Sequence, residues 1–269
     1  MATLFYVLLF ILGACLGSFL CCQARRLHLK ETATRKGKKS SLGSRSVCLH
    51  CHHQLKWYDN IPILSWLFLR GKCRKCHHQI GLAEIVSEVA LAVGFLTLGA
   101  TIDPSAADPL TWSIFVSTLL LTTSLAFLAI YDGLYGELPT KYLIISILLA
   151  IINLSLQHAQ ILITAGFSPE LIYQPLLAVL ILGGLYLTLY LFSHGKWVGD
   201  GDWLVATAIG IALGHPWLAL IALFVANLLA CLFALPHLKK TKKIYLGPFL
   251  VVSFVIVYSL SNALISLIS

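Results

Sequence analysis

Two aspartates stand at the ends of apolar runs, where a membrane-spanning segment tolerates a carboxylate poorly. Asp132 follows an apolar run in AIYDGLYGELPTKY, and Asp202 precedes another in WVGDGDWLVATAIG. The chain holds only 11 acidic residues among 269. Ionisable groups at such positions are costly to desolvate and commonly functional. If the two carboxylates converge on one site, they are suited to shared-proton chemistry of the aspartic-protease kind.

The GDGD segment gives the second aspartate a distinctive setting at the start of an apolar run. Glycine lets the backbone approach other groups closely and adopt conformations closed to other residues. Gly199 and Gly201 can therefore place Asp202 at a helix N-terminus, where the helix dipole favours its ionised form. The alternative is an ordinary interfacial loop acid, which the pairing with a second aspartate argues against. We expect the neighbouring acids Asp200 and Glu137 to be solvated loop residues.

Two CxxC pairs form the other candidate site. Cys48 and Cys51 make the first pair, and Cys73 and Cys76 make the second after 21 intervening residues. Four thiolates in two such knuckles suit tetrahedral Zn²⁺, so we expect a structural zinc site. The interpretations left open are disulfides, a redox pair and unliganded cysteines.

The composition describes the elements that must position these residues. Hydrophobic residues make up 58% of the chain and charged residues 11%, whereas a soluble domain carries roughly 25% charge. Eight apolar runs approach the ~20 residues of a spanning helix, and the sixth is short. The runs fall at about 3–22, 82–101, 112–131, 140–156, 171–193, 203–214, 216–235 and 245–268. The sequence therefore predicts an all-α polytopic membrane protein with about eight spans, and an interfacial loop over 158–167.

The basic residues predict the orientation of these spans. Thirteen of the 19 Lys and Arg fall between Arg25 and Lys75, and no Lys or Arg lies in 103–108 or 158–170. Basic loops stay cytoplasmic. An outside N-terminus then puts inside the loops 23–81, 132–139, 194–202 and 236–244. The tetracysteine loop and both aspartates would face the cytosol, where stable disulfides are disfavoured. The same rule accounts for the net charge of +8 without nucleic acid.

Taken in order along nearly the whole chain, these motifs resemble those of the type IV prepilin peptidases, which are GxGD-type aspartic peptidases of the bacterial cytoplasmic membrane. The matching elements are GSFL at 17–20, DNIP at 59–62, SWL at 65–67, RGKC at 70–73, the four cysteines, Glu84 and Glu88, Asp132 seven residues before Pro139, GxGD at 199–202 and GPF at 247–249. The chain departs from the family pattern after GSF, where Cys21 and Cys22 follow, and at Leu134 and Thr140. Neither aspartate position is affected.

The resemblance implies a function and roles for the residues. Asp132 and Asp202 would be the catalytic dyad, supported by Gly199, Gly201 and Pro139. The substrate would be a pilin-like precursor, whose short basic leader is cleaved at the cytoplasmic membrane face. The family often also methylates the new N-terminus with S-adenosylmethionine, although no glycine-rich cofactor loop is visible in this sequence. If Asp202 begins a helix, the dipole favours it as the base.

The resemblance also gives a division of the chain: a first transmembrane helix over 1–22, a basic linker and tetracysteine loop over 23–81, and a seven-helix peptidase core over 82–269. Three other functions remain open. A transporter or proton relay would more often carry its acids deeper in the spans. A CxxC thiol oxidoreductase would need its cysteines at an oxidising face. A different GxGD peptidase, acting on signal peptides or preflagellins, need not have the tetracysteine loop.

Overall fold

The computed structural model describes residues 2–35, 46–48, 50–51, 53–196, 198–235 and 245–268. Within these residues the chain is helical, as the sequence predicted. The helices are α1 Ala2–Arg35, α2 Leu64–Phe68, α3 Leu82–Gly99, α4 Pro109–Tyr135, α5 Thr140–Thr164, α6 Glu170–Val179, α7 Leu185–Ser193, α8 Asp202–Leu213, α9 Pro216–Ala234, α10 Gly247–Ser259 and α11 Ser261–Ile268. A π-helical turn, Leu180–Gly184, joins α6 to α7, and a 3₁₀ turn spans Trp57–Asn60.

Six stretches among the described residues are long and apolar enough to cross a membrane: α1, α3, α4, α5, the joined α6 and α7, and α9. Helices α10 and α11 would make a seventh if taken as one span, but they are bent by 67° at their junction. Helix α8 has only 12 residues, because Gly214 ends it in the left-handed region and Pro216 starts α9. The polytopic class is confirmed, and the count of eight stays a prediction.

Several helices run further than the apolar runs indicated, and α1 and α5 have the longest extensions. Helix α1 continues past the first apolar run to Arg35, and residues 36–45 of the predicted linker lie outside the described residues. The prediction of an interfacial loop over 158–167 was wrong for residues 158–164, because α5 continues through them to Thr164. No Gly or Pro interrupts this stretch before Gly166, which has a φ of 81°. Helix propagation therefore continued past the point where the apolar run weakened.

The chain divides into two compact units, Met1–Leu96 and Thr97–Ser269. In the first unit, α1 packs closely on α3 through a GxxxG pair. A Cβ added at Gly13 would lie 2.5 Å from the carbonyl oxygen of Leu91, and one added at Gly17 would lie 2.5 Å from that of Ser87. Small residues at this spacing let two helix backbones approach in a membrane. The glycine of the GSF element therefore has a packing role.

In the second unit, α4, α5, α8 and α10 enclose a core that includes polar residues. Asn153 on α5 is fully buried and donates to the hydroxyls of Ser117 and Thr118 on α4, both at 2.8 Å. Gln157 donates to the Asn153 side-chain oxygen at 2.6 Å. Such bonds satisfy polar groups that have no water partner in a bilayer and fix the helices to one another.

Candidate active site and metal centre

Asp132, the first of the two predicted catalytic residues, lies in the last turn of α4. The helix ends because Gly136 adopts a φ of 67° and donates its amide to the Asp132 carbonyl at 2.7 Å. The Asp132 side chain is 5% exposed, and its Oδ2 accepts a hydrogen bond from the Gly247 amide at 3.1 Å. Gly247 is the first residue of α10, so a distant element holds this carboxylate. A Cβ added at Gly247 would lie 2.7 Å from Oδ2.

Asp202 is the first residue of α8, as the GDGD segment predicted. Its side chain is 7% exposed, and its Oδ2 accepts from the Gly199 amide at 2.9 Å. A Cβ added at Gly199 would lie 3.0 Å from that oxygen, and one added at Gly201 would lie 2.6 Å from Leu138. The two glycines therefore have different tasks. Gly199 binds the carboxylate, and Gly201 lets the loop before Pro139 approach α8.

The structure places the two aspartates within electrostatic range of each other. Asp132 and Asp202 are close enough for a charge–charge interaction, and both are nearly buried. Two adjacent carboxylates in a site of low dielectric constant favour holding one proton between them. Such a pair can present an acid and a base to one substrate. Their meeting is an observation, and their catalytic role stays a prediction.

The neighbouring acids have the surroundings expected of loop residues. Asp200 and Glu137 are both exposed. The Asp200 carboxylate forms a hydrogen bond with the Tyr190 hydroxyl. Asp200 is thus held by a side chain of α7, and the GDGD segment contributes a single buried acid.

Sequence reasoning gave no role to three residues that surround the pair. Gly247 was part of the GPF motif, but nothing in the sequence indicated that its amide would hold Asp132. Tyr186 lies in an apolar run, is 2% exposed, and is close enough to Asp202 for an electrostatic interaction. Leu138, which meets Gly201, is a single apolar residue in a loop. Each of these roles depends on tertiary contacts.

The four cysteines form a compact cluster in the first unit. The Sγ atoms of Cys48, Cys51, Cys73 and Cys76 all lie within 4.8 Å of one another, and those of Cys48 and Cys76 are 3.8 Å apart. A tetrahedral zinc with Zn–S bonds of about 2.3 Å requires sulfur–sulfur distances of roughly 3.8 Å. The Cys48–Cys76 distance has this value, and the other sulfurs lie within about 1 Å of it, so the donor set suits Zn²⁺. All eight cysteines are free thiols, so none is in a disulfide.

The two knuckles, CLHCHHQ and CRKCHHQ, are closed by matching hydrogen bonds between their described residues. The Cys48 amide donates to the His53 carbonyl at 2.9 Å, and the Cys73 amide donates to the His78 carbonyl, also at 2.9 Å. A short antiparallel bridge closes each knuckle, at Val47–Gln54 and at Lys72–Gln79. The amides of Cys76 and Lys75 donate to the Cys73 sulfur and lower the pKa of that thiol to about 7. Such a cysteine supplies a thiolate to a metal at neutral pH.

Comparisons with known proteins show which proteins the chain is similar to. The family model described as "Bacterial Peptidase A24 N-terminal domain" matches residues 11–102. A "Prepilin leader peptidase/N-methyltransferase" of Vibrio cholerae serotype O1 is 29% identical, over 94% of this chain and 96% of the relative. One of the same name from Dickeya chrysanthemi is 27% identical, over 91% of this chain and 89% of the relative. A third, from Myxococcus xanthus, is 46% identical over only 26% of this chain and 18% of its own length. No solved structure matches the chain.

Proposed function

We propose that this chain is a type IV prepilin peptidase, a membrane aspartic endopeptidase that removes the short basic leader of pilin-like precursors; its similarity to the family model and to the relatives supports this. The observation that carries the proposal is the electrostatic interaction between Asp132 and Asp202, two nearly buried carboxylates from separate helices. Relatives that align with nearly the whole chain carry the name of this activity. Together they favour a peptidase over a proton relay or a thiol oxidoreductase.

The proposed mechanism divides the roles of acid and base between the two carboxyl groups. The deprotonated group takes a proton from water, and the resulting hydroxide attacks the scissile carbonyl. The protonated group polarises that carbonyl and gives its proton to the developing oxyanion. Collapse of the tetrahedral intermediate then breaks the C–N bond: the group that took the proton from water gives it to the leaving amine, and the other group recovers a proton from a hydroxyl of the intermediate. Asp202 begins α8, where the helix dipole favours the anion, so we assign it as base and Asp132 as acid.

Two backbone amides keep the carboxylates in place for this chemistry. The Gly247 amide binds Oδ2 of Asp132, and the Gly199 amide binds Oδ2 of Asp202. We propose that the Oδ1 atoms hold the attacking water between them. A fixed backbone donor needs no reorganisation during the reaction, which is the general advantage of preorganised polar groups.

The cytosolic face is the proposed location of cleavage. The basic residues concentrate in the segment from Arg25 to Lys75, and basic loops stay cytoplasmic. We propose that the tetracysteine cluster binds one structural zinc on the same side, since four protein ligands leave no position open for water. The relatives' names also include N-methyltransferase, and we propose methylation of the new N-terminus by S-adenosylmethionine as the second activity.

Leader removal from a pilin precursor by the purified protein tests the dyad. Asp132→Asn and Asp202→Asn should each abolish cleavage, because asparagine keeps the shape of the side chain but cannot hold or exchange the proton. The matched control is Asp200→Asn, in the same GDGD segment, which should keep most activity because Asp200 is exposed and bound to Tyr190. Normal processing by the Asp202→Asn protein would overturn the proposal.

Labelling of single cysteines in a background without other reactive thiols tests the location. An impermeant reagent added outside intact cells should modify a cysteine at Ser105, between α3 and α4, and should not modify one at Thr140, the first residue of α5. Modification at Thr140 from outside would contradict cleavage at the cytosolic face.

A further inference from the structure

The short helix α2, between the two cysteine knuckles, carries its apolar residues outward. Leu64, Leu67 and Phe68 share one side of it, because residues three and four apart meet on the same side of a helix. Their exposed fractions are 51%, 56% and 83%. Ser65 and Trp66, on the other side, line the interior of the unit. We call the three exposed residues the α2 face.

A further exposed aromatic residue lies next to α2. Trp57 belongs to the 3₁₀ turn, which contacts α2, and it is 79% exposed. Groups of exposed apolar residues rimmed by polar ones mark sites of interaction with proteins or membranes. The α2 face therefore requires a partner that is at least partly apolar.

A buried carboxylate holds α2 beside α3. Glu88 is 6% exposed, accepts a hydrogen bond from the Ile63 amide at 2.6 Å, and is also bonded to Ser18 of α1. Glu88 is the seventh residue of α3, about 9 Å from the start of that helix at a rise of 1.5 Å per residue. Since Ile63 directly precedes α2, the start of α2 lies beside the first two turns of α3.

The length of α3 indicates the level of α2 in the bilayer. Helix α3 has 18 residues, so it is about 27 Å long, and the hydrocarbon core of a bilayer is about 30 Å thick. All of α3 is needed to cross it, so the first turns of α3 lie at the boundary between hydrocarbon and headgroups. Helix α2 lies at the same level, where aromatic side chains are favoured.

Two residues with left-handed backbone conformations fix the direction of α2. Ile63, just before it, has a φ of 63°, and Arg70, two residues after it, has a φ of 50°. A positive φ is unfavourable for a β-branched residue such as isoleucine. Such conformations persist only where surrounding contacts hold them, and here Glu88 holds the Ile63 amide. The outward direction of the α2 face is therefore built into the fold.

Positive charge surrounds the α2 face. Residues 53–81 contain five Lys and Arg but a single acid, Asp59, and Asp59 is paired with Arg74 at 2.8 Å. Arg70 and Lys72, which follow α2 in the chain, are exposed. Exposed apolar side chains beside Lys and Arg are typical of surfaces that bind membranes containing anionic lipids.

We propose that the α2 face enters the headgroup layer of the surrounding bilayer, and that Arg70 and Lys72 bind the phosphate groups of anionic phospholipids there. A second copy of the chain is a poorer occupant, because it would bring the same positive charges together. A substrate with a basic leader would be repelled by Arg70 and Lys72 for the same reason. Anionic lipid supplies both the apolar and the negatively charged surface at the level where α2 lies.

Photocrosslinking of the full-length protein in vesicles identifies what touches the α2 face. Phe68→p-benzoylphenylalanine, in vesicles of phosphatidylcholine and phosphatidylglycerol, should give phospholipid adducts that mass spectrometry detects after illumination. The same replacement at Ser105, an exposed residue between α3 and α4, is the matched control and should give few. Covalent dimers, or adducts with an added pilin precursor, in place of lipid adducts at position 68 would overturn the proposal.

The identity of the crosslinked lipid tests the basic residues. Phosphatidylglycerol should be enriched about fivefold over its share of the vesicle, which is the preference that one basic residue confers near a membrane surface. Arg70→Gln combined with Lys72→Gln should remove most of this enrichment, whereas Arg70→Lys combined with Lys72→Arg should keep it. The same enrichment in both combined variants would contradict headgroup binding by these two residues.

Hydrogen exchange of the wild-type protein tests docking without any substitution. Amides of residues 64–69 should exchange more slowly in vesicles that contain phosphatidylglycerol than in phosphatidylcholine alone, because docking shields α2 from water. Amides of residues 100–108, between α3 and α4, should exchange equally in both. Equal exchange of 64–69 in the two kinds of vesicle would overturn the proposal. None of these readouts depends on leader cleavage, so their outcome is separate from that of the proposed peptidase.

Discussion

The tetracysteine cluster and the aspartate pair are both small groups of polar side chains, but they are built in opposite ways. Each cysteine knuckle closes on itself through hydrogen bonds between residues five apart, and the two knuckles repeat the same pattern. The aspartates come from α4 and α8, and Asp132 is held by an amide from α10. The cluster is therefore a local structure repeated twice, whereas the pair exists only once the second unit has packed.

This difference predicts how each site fails. Loss of one cysteine removes a ligand, and three thiolates do not make a closed tetrahedral site. A Cβ added at Gly247 or Gly199 leaves both carboxylates present but displaces the one beside it. Substitutions in the cysteine cluster should therefore reduce the metal content. Substitutions beside the aspartate pair should reduce leader cleavage while the protein stays folded.

The largest effect is expected at the cluster. Cys73→Ser should reduce the bound zinc from about one ion per chain to almost none, and it should expose the tetracysteine loop to proteolysis. Elemental analysis of freshly purified, reduced protein measures this. Cys231→Ser is the control, because Cys231 is exposed on α9 and should leave the metal content unchanged. Full metal content in the Cys73→Ser protein would contradict the four-thiolate site.

The next effect is expected at the amide that holds Asp132. Gly247→Ala would put a Cβ 2.7 Å from the carboxylate oxygen, so the carboxylate must shift. Displacement of a reacting group by about 1 Å can lower the rate about 100-fold, and we expect that loss in single-turnover leader cleavage. Gly133→Ala is the matched control, since its Cβ would meet only Pro248 at 3.6 Å. Equal activities of the two variants would show that the Gly247 contact does not matter.

A smaller effect is expected at the first glycine of GDGD. Gly199→Ala would bring a Cβ to 3.0 Å from Oδ2 of Asp202, a milder contact than the one at Gly247. We expect about a tenfold loss of kcat, equivalent to about 1.4 kcal/mol, with the fold unchanged. A loss larger than that of Gly247→Ala would reverse the predicted order of the two amides.

The smallest effect is expected in the hydrogen bonds between α4 and α5. Asn153→Leu removes bonds to Ser117 and Thr118, and interhelical hydrogen bonds in membranes contribute about 0.6–2 kcal/mol. Unfolding measured in detergent should show a loss of that size, whereas Ser155→Ala, at an exposed residue bonded within its own helix, should show none. Unchanged stability would mean that apolar packing alone fixes α4 against α5.

The sequence predicted the local features of both sites because their signals are local. Spacing identified the cysteines, and charge in an apolar context identified Asp132 and Asp202. It also gave the all-helical class and the approximate place of the apolar helices. The predicted number of spans was not reached, because α8 is short and α10 is bent against α11. Hydrophobicity alone does not reveal that Gly214 ends α8 in the left-handed region or that α10 ends at Leu260.

The remaining features depend on contacts between distant segments. The GPF motif did not predict that the Gly247 amide would bind Asp132. The apolar run that contains Tyr186 did not predict that this residue would lie near Asp202. Periodicity and motif spacing describe one element at a time, so they do not report which backbone amide meets which carboxylate.

The most direct test of the dyad is a double-mutant comparison in single-turnover leader cleavage. If Asp132 and Asp202 act as one unit, Asp132→Asn, Asp202→Asn and the double variant should all have the same residual rate, because residues that share a step are strongly non-additive. Metal content and unfolding should match the wild type in all three. A single variant that keeps substantial activity, or losses that multiply in the double variant, would contradict a shared-proton pair.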